Sequence, residues 1–185
     1  MDLFPLVTER LILRPFKASD FPAYADYHGR ADVYRFLYAS PPRGDALKAQ
    51  FMAATLPRFD LDGDIFRLAV TPLAGKDDVI GEVLLKLTSR SAAQGEIGYI
   101  FNPLWSGRGF AAEAVAALAR IGFEQGGLHR IFARLDAANA GSVALMQRLG
   151  FRREAHLIQN DRFDGVWGDE FIYAQLRSEW TARAG

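Results

Sequence analysis

The sequence predicts an α+β fold in which one mixed, mostly antiparallel sheet is flanked by helices. Three strand-like segments follow one another in the middle of the chain, as in an antiparallel meander. Helices then alternate with strands, without the regular repeat of a doubly wound fold. The chain has 185 residues, half of them hydrophobic, which is enough for one domain with its own core. We therefore expect residues 1–185 to form a single domain.

Composition excludes several kinds of chemistry. The chain has no cysteine, so it offers no thiol nucleophile, iron–sulfur ligand or disulfide. Its 22 basic and 22 acidic side chains give a net charge of zero. This charge would not attract a polyanion, so we expect no nucleic acid partner. Residues Met1–Pro5 lack signal-peptide features, and no apolar run approaches the ~20 residues that cross a bilayer. We expect a cytoplasmic protein with no membrane partner and, because no histidine has a partner at ligand spacing, no metal.

The first strand and helix are predicted from alternating apolar residues and from a capping residue. Leu11 and Leu13 occupy alternate positions of a strand that stops before Pro15. Ser19 is a suitable N-cap for a helix that continues to about Tyr27.

The remaining elements follow from hydrophobic periodicity and from turn residues. A second helix is predicted from Asp45, as N-cap, to Leu56, which precedes Pro57. Further helices and strands have clear turn residues at their ends. These are strands at Ile65–Val70, Val79–Leu87, Gln94–Phe101, Ile131–Leu135, Arg153–Asn160 and Glu170–Leu176, and helices at Ala111–Phe123 and Asn139–Leu149.

The most informative segment joins the third meander strand to the Ala-rich helix. It contains Gly107, Gly109 and the small residue Ala111, so the backbone there can approach a ligand closely. The free N–H groups at a helix start carry partial positive charge and suit a phosphate. Arg108 adds a cation. The segment is therefore a candidate anion site.

Three interpretations of this segment compete. The first is an ordinary strand-to-helix turn. The second is a dinucleotide fingerprint, since Gly107-x-Gly109-x-x-Ala112 fits the spacing. A meander precedes it, however, and Asp136 comes too late to bind a ribose. The third is a pyrophosphate site of another kind.

Four sequence blocks in fixed order decide between them. They are TERLILRPF, GEIGYIFNPLWSGRGFAAEA, RLDAANAGSVALMQRLGFRREA and NDRFDGVWGDEFIYAQL. Over nearly its whole length the chain resembles the GNAT acetyltransferase superfamily, and within it the ribosomal-protein N-terminal (alanine) acetyltransferases. The resemblance implies a single GNAT-like domain, a sheet splayed at the acetyl-CoA site, and acetyl-CoA as cosubstrate.

The resemblance also assigns residues to the cosubstrate. In that family the pattern Q/R-x-x-G-x-G/A binds the pyrophosphate through backbone amides. Here Ser106 replaces the leading Gln or Arg, which leaves Arg108 to supply charge. The pantetheine arm is expected beside the preceding strand, where Gly98 marks a bulge, a close backbone approach or simple packing. The implied cosubstrate-binding residues of this part are Tyr99, Ile100, Phe101, Ser106, Gly107, Arg108, Gly109, Phe110 and Ala111.

Asn139 and Ser142 form a second group. In the resembled family an Asn at this place contacts the CoA arm, and a hydroxyl three residues on lies near the thioester sulfur. We therefore assign both residues to cosubstrate binding, and Ser142 also to catalysis as a proton donor to the leaving thiolate. The alternative is that either residue simply caps the helix.

Glu96 is the candidate base. It shares a strand face with Gly98, opposite Ile97 and Tyr99. A carboxylate there can orient a substrate ammonium or accept its proton through water. The alternative is an exposed strand glutamate with no catalytic role.

The expected function is transfer of an acetyl group to a primary amine by direct attack. The acceptor is a protein or peptide α-amine, or a small amine, and its wall is expected from residues 24–57 and 159–168. In the second segment Asn160, Arg162 and Trp167 are candidate contacts, although Asp164-Gly165 can simply make a hairpin turn. The alternative function is a non-catalytic CoA-binding or regulatory module.

Overall fold

The computed structural model describes residues 4–75 and 78–184. Among these residues a sheet of eight strands has the order β1-β2-β3-β4-β5-β6-β8-β7. Neighbouring strands are antiparallel except β5 and β6, which are parallel. The strands are β1 (Leu6–Val7), β2 (Leu11–Arg14), β3 (Ile65–Pro72), β4 (Gly81–Ser89), β5 (Gln94–Phe101), β6 (Arg130–Asp136), β7 (Arg152–Phe163) and β8 (Val166–Leu176).

Helices cover both faces of this sheet. One face packs against α4 and α5, and the other against α1 and α3. Short 3-10 turns at Ala18–Asp20 and Pro103–Trp105 lead toward α1 and α4. The helices are α1 (Phe21–His28), α2 (Ala31–Tyr34), α3 (Gly44–Ala54), α4 (Phe110–Glu124), α5 (Ala140–Arg148) and α6 (Arg177–Ala184). None of them, within the described ranges, is long and apolar enough to cross a lipid bilayer.

The larger core lies between the sheet and α4. Val115 and Leu118 of α4 are fully buried, as are Val83 and Leu85 of β4. Burial of such a side chain contributes roughly 2 kcal/mol. The packing therefore fixes α4, and with it the residues that precede the helix, against the middle of the sheet.

The parallel pair of strands opens after three residues. The β5–β6 register runs from Gln94↔Arg130 to Glu96↔Phe132. The strands themselves continue to Phe101 and Asp136. Beyond the last pair they diverge, and this opening, which we call the splay, leaves one edge of β5 without a ladder to β6. The splayed sheet that the sequence predicts is confirmed.

The meander over β3, β4 and β5, the two long helices of the second half and the closing hairpin are confirmed as well. Two predicted caps are wrong. Ser19 lies inside a 3-10 turn, where the Asp20 carboxylate instead accepts the Lys17 N–H at 2.7 Å. For α3 the N-cap is Arg43, while Asp45 lies in the first turn and its exposed side chain pairs with a lysine.

Three short elements were not predicted from the sequence. β1 has two residues and α2 has four, which is too short for a periodic pattern to emerge. α6 presents little apolar surface, and Trp180 anchors it by stacking on Phe123 of α4 with 5.7 Å between ring centroids. These elements therefore depend on contacts with distant segments.

Candidate active site

One cleft of about 810 Å³ occupies the splay. It passes through the sheet from the face that carries α4 and α5 to the face that carries α2. Its walls come from α2 and the residues after it, β5 and Leu84 of β4, the loop before α4 with the start of that helix, the end of β6, and α5 with its N-cap. The divergence of two parallel strands thus creates a passage in which a ligand can reach both faces of the sheet.

The glycine loop, residues 106–109, lies at one wall of this cleft. Gly107 and Gly109 have φ of +75° and +78°, a region that L-residues with a side chain rarely adopt. Gly109 is also the N-cap of α4. Because it has no side chain, no side-chain oxygen caps the helix, and the first N–H groups of α4 remain free to bind an anion.

The start of this loop is fixed by Asn102. Its side-chain oxygen accepts the Leu104 N–H at 3.1 Å, and its amide donates to the Asp26 carboxylate at 2.9 Å. Both bonds set the direction in which the chain leaves β5. The loop is therefore held from α1 as well as from the sheet.

β5 presents its free edge to the cleft at Tyr99, Ile100 and Phe101. The bulge considered at Gly98 is absent, because the β4–β5 register is regular from Gly81↔Phe101 to Leu87↔Gly95. A Cβ at Gly98 would instead lie 3.3 Å from the Leu84 side chain. The glycine thus permits close packing against β4 while the opposite edge of the strand stays open.

Asn139, Ser142 and Tyr99 meet at the α5 side of the splay. Asn139 is the N-cap of α5, and its side-chain oxygen accepts the Ser142 N–H at 3.1 Å. The Ser142 side chain faces the Tyr99 phenol, and both residues line the cleft. Burial raises the pKa of Tyr99, and the nearby Ser142 hydroxyl opposes this effect in part. The capping role considered for Asn139 is confirmed, while Ser142 contributes only its N–H to the cap.

Glu96 lies on the other face of the splay. It is half-buried and lines the cleft together with Arg134 of β6. Arg134 donates to the Glu170 carboxylate at 2.8 Å, and this hydrogen bond raises the pKa of the guanidinium, with a smaller contribution from Glu96. The cleft therefore has a carboxylate on its α2 face and a hydroxyl pair on its α5 face.

Tyr38 directly follows the lining residues Phe36 and Leu37. Its hydroxyl donates to the Asp169 carbonyl oxygen at 3.4 Å and lies near the Asp136 carboxylate. Burial raises the pKa of Tyr38, and the Asp136 carboxylate raises it further. A Cβ on Gly168 would lie only 2.1 Å from the Tyr38 hydroxyl oxygen, so glycine is needed for this contact. Tyr38 therefore connects the segment after α2 to the end of β6 and to β8.

All but one of the residues predicted for cosubstrate binding or catalysis line this cleft. The exception is Arg108, whose exposed guanidinium stacks on Trp105 at 4.9 Å from the ring centroid. The residues that do line it are Glu96, Tyr99, Ile100, Phe101, Ser106, Gly107, Gly109, Phe110, Ala111, Asn139 and Ser142.

The candidate contacts on the closing hairpin lie elsewhere. Arg162 stacks on Trp167, which is 54% exposed, and Asn160 hydrogen-bonds to Glu170. Asp164 and Gly165 have φ of +47° and +80°, as in a tight hairpin turn. None of these residues is among those that line the cleft.

Several lining residues were missed from the sequence. Arg134 and Asp136 end β6, and Asp32 and Phe36 belong to α2 and the segment after it. Arg134 and Asp136 could have been predicted from the sequence, because polar residues at the end of a buried strand are candidates for a site at that edge of the sheet. From the broad segment 24–57, which the sequence assigns to an acceptor wall, the residues that line the cleft are Asp32, Val33, Phe36 and Leu37.

Comparison with known proteins agrees with this architecture. Residues 10–152 match the family model described as acetyltransferase (GNAT) domain. The chain is 29% identical over 176 residues to the uncharacterized N-acetyltransferase YnaD of Bacillus subtilis (strain 168), covering 95% of this chain and 99% of YnaD.

Solved structures share the fold. A GNAT-family acetyltransferase from Bacillus anthracis has a TM-score of 0.82 at 26% identity, covering 94% of this chain and 99% of that one. Spermidine N-acetyltransferase from Vibrio cholerae, in complex with CoA and spermine, has a TM-score of 0.81 at 20% identity over the same shares of the two chains. The family match spans most of this chain and includes the glycine loop and the splay. The protein therefore belongs to the GNAT acetyltransferase family and is an N-acetyltransferase whose cosubstrate is acetyl-CoA.

Proposed function

We propose that the protein transfers the acetyl group of acetyl-CoA to a primary amine by direct attack, with the thioester held in the splay. The observation that carries this proposal is the single cleft that joins the glycine loop to α2 through the opening between β5 and β6. A cosubstrate and an acceptor can enter such a passage from opposite faces of the sheet.

The described residues fit acetyl-CoA. The glycine loop and the first turn of α4 offer free N–H groups to a pyrophosphate. The open edge of β5 at Tyr99–Phe101 offers backbone groups to the amides of the pantetheine arm, as an added strand would find them. Asn139 and Ser142 face the same opening from α5. The thioester would then lie between the Ser142 hydroxyl and Glu96.

The chemistry assigned to these groups balances without a covalent enzyme intermediate. The neutral amine nitrogen attacks the thioester carbonyl carbon, a C–N bond forms, and the C–S bond breaks. Before the attack, Glu96 takes the first proton of the ammonium, directly or through water, and passes it to solvent. After the attack the amine nitrogen loses its second proton to water, the thiolate takes a proton from Ser142, and solvent reprotonates the Ser142 hydroxyl. Tyr99, which faces Ser142, is placed to relay that last proton.

The acceptor is proposed to be cationic before it reacts. Asp32, Glu96 and Asp136 line the α2 side of the cleft. The Arg134 guanidinium lies beside them but is paired with Glu170, so the carboxylates there still favour an ammonium group. The resemblance to ribosomal-protein alanine acetyltransferases suggests a peptide α-amine. The shared fold with a spermidine acetyltransferase makes polyamines a sensible second class to test.

The test is acetyl-CoA turnover with a panel of acceptors: peptides with N-terminal alanine or serine, polyamines, and amino acids. Release of free CoA thiol is followed with each acceptor and without one, and the acetylated product is identified by mass spectrometry. We expect acceptor-dependent release with at least one class. Tight acetyl-CoA binding with no acceptor-dependent release from any amine would show instead a non-catalytic CoA-binding module.

A further inference from the structure

We propose that Arg10 is a positioning residue for the cosubstrate: it neutralises Glu113 and fixes the glycine loop, so that the start of α4 attracts the diphosphate of acetyl-CoA. This inference rests on the proposed placement of the diphosphate at the glycine loop. Neither residue lines the cleft, so the effect is exerted through the loop and through charge.

The Glu113 carboxylate is held entirely by the segment before β2. One oxygen accepts the Thr8 hydroxyl at 2.6 Å and the Arg10 backbone N–H at 2.8 Å. The other accepts the Arg10 Nε–H at 2.7 Å and lies 2.7 Å from the Arg10 Nη2 as well. The carboxylate is only 15% exposed. The start of the chain is thereby attached to the first turn of α4, 103 residues away in sequence.

The two terminal nitrogens of the Arg10 guanidinium also contact the glycine loop. One terminal nitrogen donates to the Arg108 carbonyl oxygen at 2.9 Å. The other lies 3.4 Å from the place where a Cβ on Gly109 would be. The guanidinium carbon lies 5.1 Å from the centroid of the Phe110 ring. Arg10 therefore supports the left-handed conformation of the loop from behind, on the side away from the cleft.

Electrostatics explains why an anion site at the start of α4 needs the ion pair between Arg10 and Glu113. A carboxylate in the first turn stabilises a helix, but the same charge repels an anion bound at that helix start. Partial burial raises the pKa of Glu113, yet the hydrogen bonds from Thr8 and Arg10 outweigh it and hold that pKa below its ordinary value. The charge therefore persists at neutral pH, and Arg10 supplies the compensating cation against the glycine loop.

The experiment is a double-mutant cycle with Arg10→Met, Glu113→Gln and the double variant, read by calorimetric titration with CoA. We expect Arg10→Met to weaken CoA binding about tenfold, and the double variant to return to within about threefold of the wild type. Glu113→Gln alone should change affinity less than threefold. Arg90→Met is the matched control, because Arg90 also binds backbone carbonyls on the surface, at Phe59 and Asp60; it should leave CoA binding unchanged.

A second acetyl donor distinguishes an effect at the diphosphate from a general effect on the cleft. Acetyl-pantetheine carries the thioester without the diphosphate, so Arg10→Met should raise the KM for acetyl-CoA about tenfold while it leaves the KM for acetyl-pantetheine within about twofold. An equal rise for both donors, or a double variant that binds CoA as poorly as Arg10→Met, would overturn the charge argument. Wild-type protein that fails to bind CoA would defeat the proposed function itself, whereas normal binding by Arg10→Met would defeat only the role of Arg10.

Discussion

The Ser142 side chain, in the first turn of α5, faces the phenol of Tyr99 on β5 across the splay. Asn139 fixes this arrangement by accepting the Ser142 N–H at 3.1 Å. The hydroxyl is thus fixed where the two strands have separated. On the other face of the same opening lies Glu96, so the proposed acid and base approach the thioester from opposite sides.

Ser142→Ala should lower kcat at least tenfold while CoA affinity changes less than twofold, because the thiolate loses its proton donor but the diphosphate site is intact. Steady-state kinetics and CoA titration measure the two effects. Tyr99→Phe should lower kcat by a smaller factor, and the double variant should resemble Ser142→Ala, since both residues act through one hydroxyl. An unchanged kcat in Ser142→Ala would remove Ser142 from the mechanism.

Gly109→Ala should weaken CoA binding at least tenfold, because its φ of +78° is strained for alanine and the new Cβ meets Arg10. Gly127→Ala is the matched control. Its φ is +69°, a Cβ there meets no atom within 4 Å, and it follows the far end of α4. Both variants should lose about 1 kcal/mol of unfolding free energy, measured in urea, but only Gly109→Ala should lose CoA affinity. Equal affinities in the two would refute the role of the loop.

Glu96→Gln should lower kcat/KM for the amine roughly 10²-fold near neutral pH, within the usual range for loss of a general base. The KM for acetyl-CoA should change little, because Glu96 lies on the face of β5 opposite Tyr99. Raising the pH should recover part of the rate, since more of the amine is then neutral without help. A wild-type rate at pH 7 would identify Glu96 as a bystander on the strand.

Stability should fall above about pH 10, the ordinary pKa of tyrosine. Burial, and then the charge of Glu82, raise the pKa values of Tyr24 and Tyr27 in the folded protein. The unfolded chain therefore loses these protons first, and each neutral buried phenol costs about 1.4 kcal/mol of stability per pH unit above that point. Below pH 10 the folded and unfolded protein both keep the two phenol protons, so the stability contributed by the buried tyrosines is fully present.

Tyr27→Phe removes one of these titrations. It should lose about 1 kcal/mol at pH 7, because Glu82 loses the Tyr27 hydroxyl that donates to it at 3.2 Å. Its stability should then fall less steeply between pH 10 and 11 than that of the wild type. Leu68→Val is the control, since it removes one methylene group from the core and should keep the wild-type slope. Urea unfolding at each pH measures both, and parallel slopes for all three proteins would contradict the assignment.

The parts of this site that could be predicted from the sequence depend on interactions between residues close together in the chain. The glycines of the loop and the Asn139 cap act within one turn of helix, so residue type and spacing were enough to predict them. Tyr38 could not be found in this way, because its contacts with Asp136 and Asp169 join segments about 100 residues apart or more. The same holds for Arg10 and Glu113. Arg108 was assigned to the anion site by proximity in sequence, and its stacking on Trp105 takes the side chain out of the cleft.

The central claim is that the splay presents a thioester to an amine, and product formation tests it most directly. Acetyl-CoA is incubated with the acceptor panel, and free CoA and acetylated amine are quantified together. We predict equal amounts of the two products with at least one primary amine, and a rate that falls in both Ser142→Ala and Glu96→Gln. CoA binding at the glycine loop with no acetylated product from any amine would contradict it.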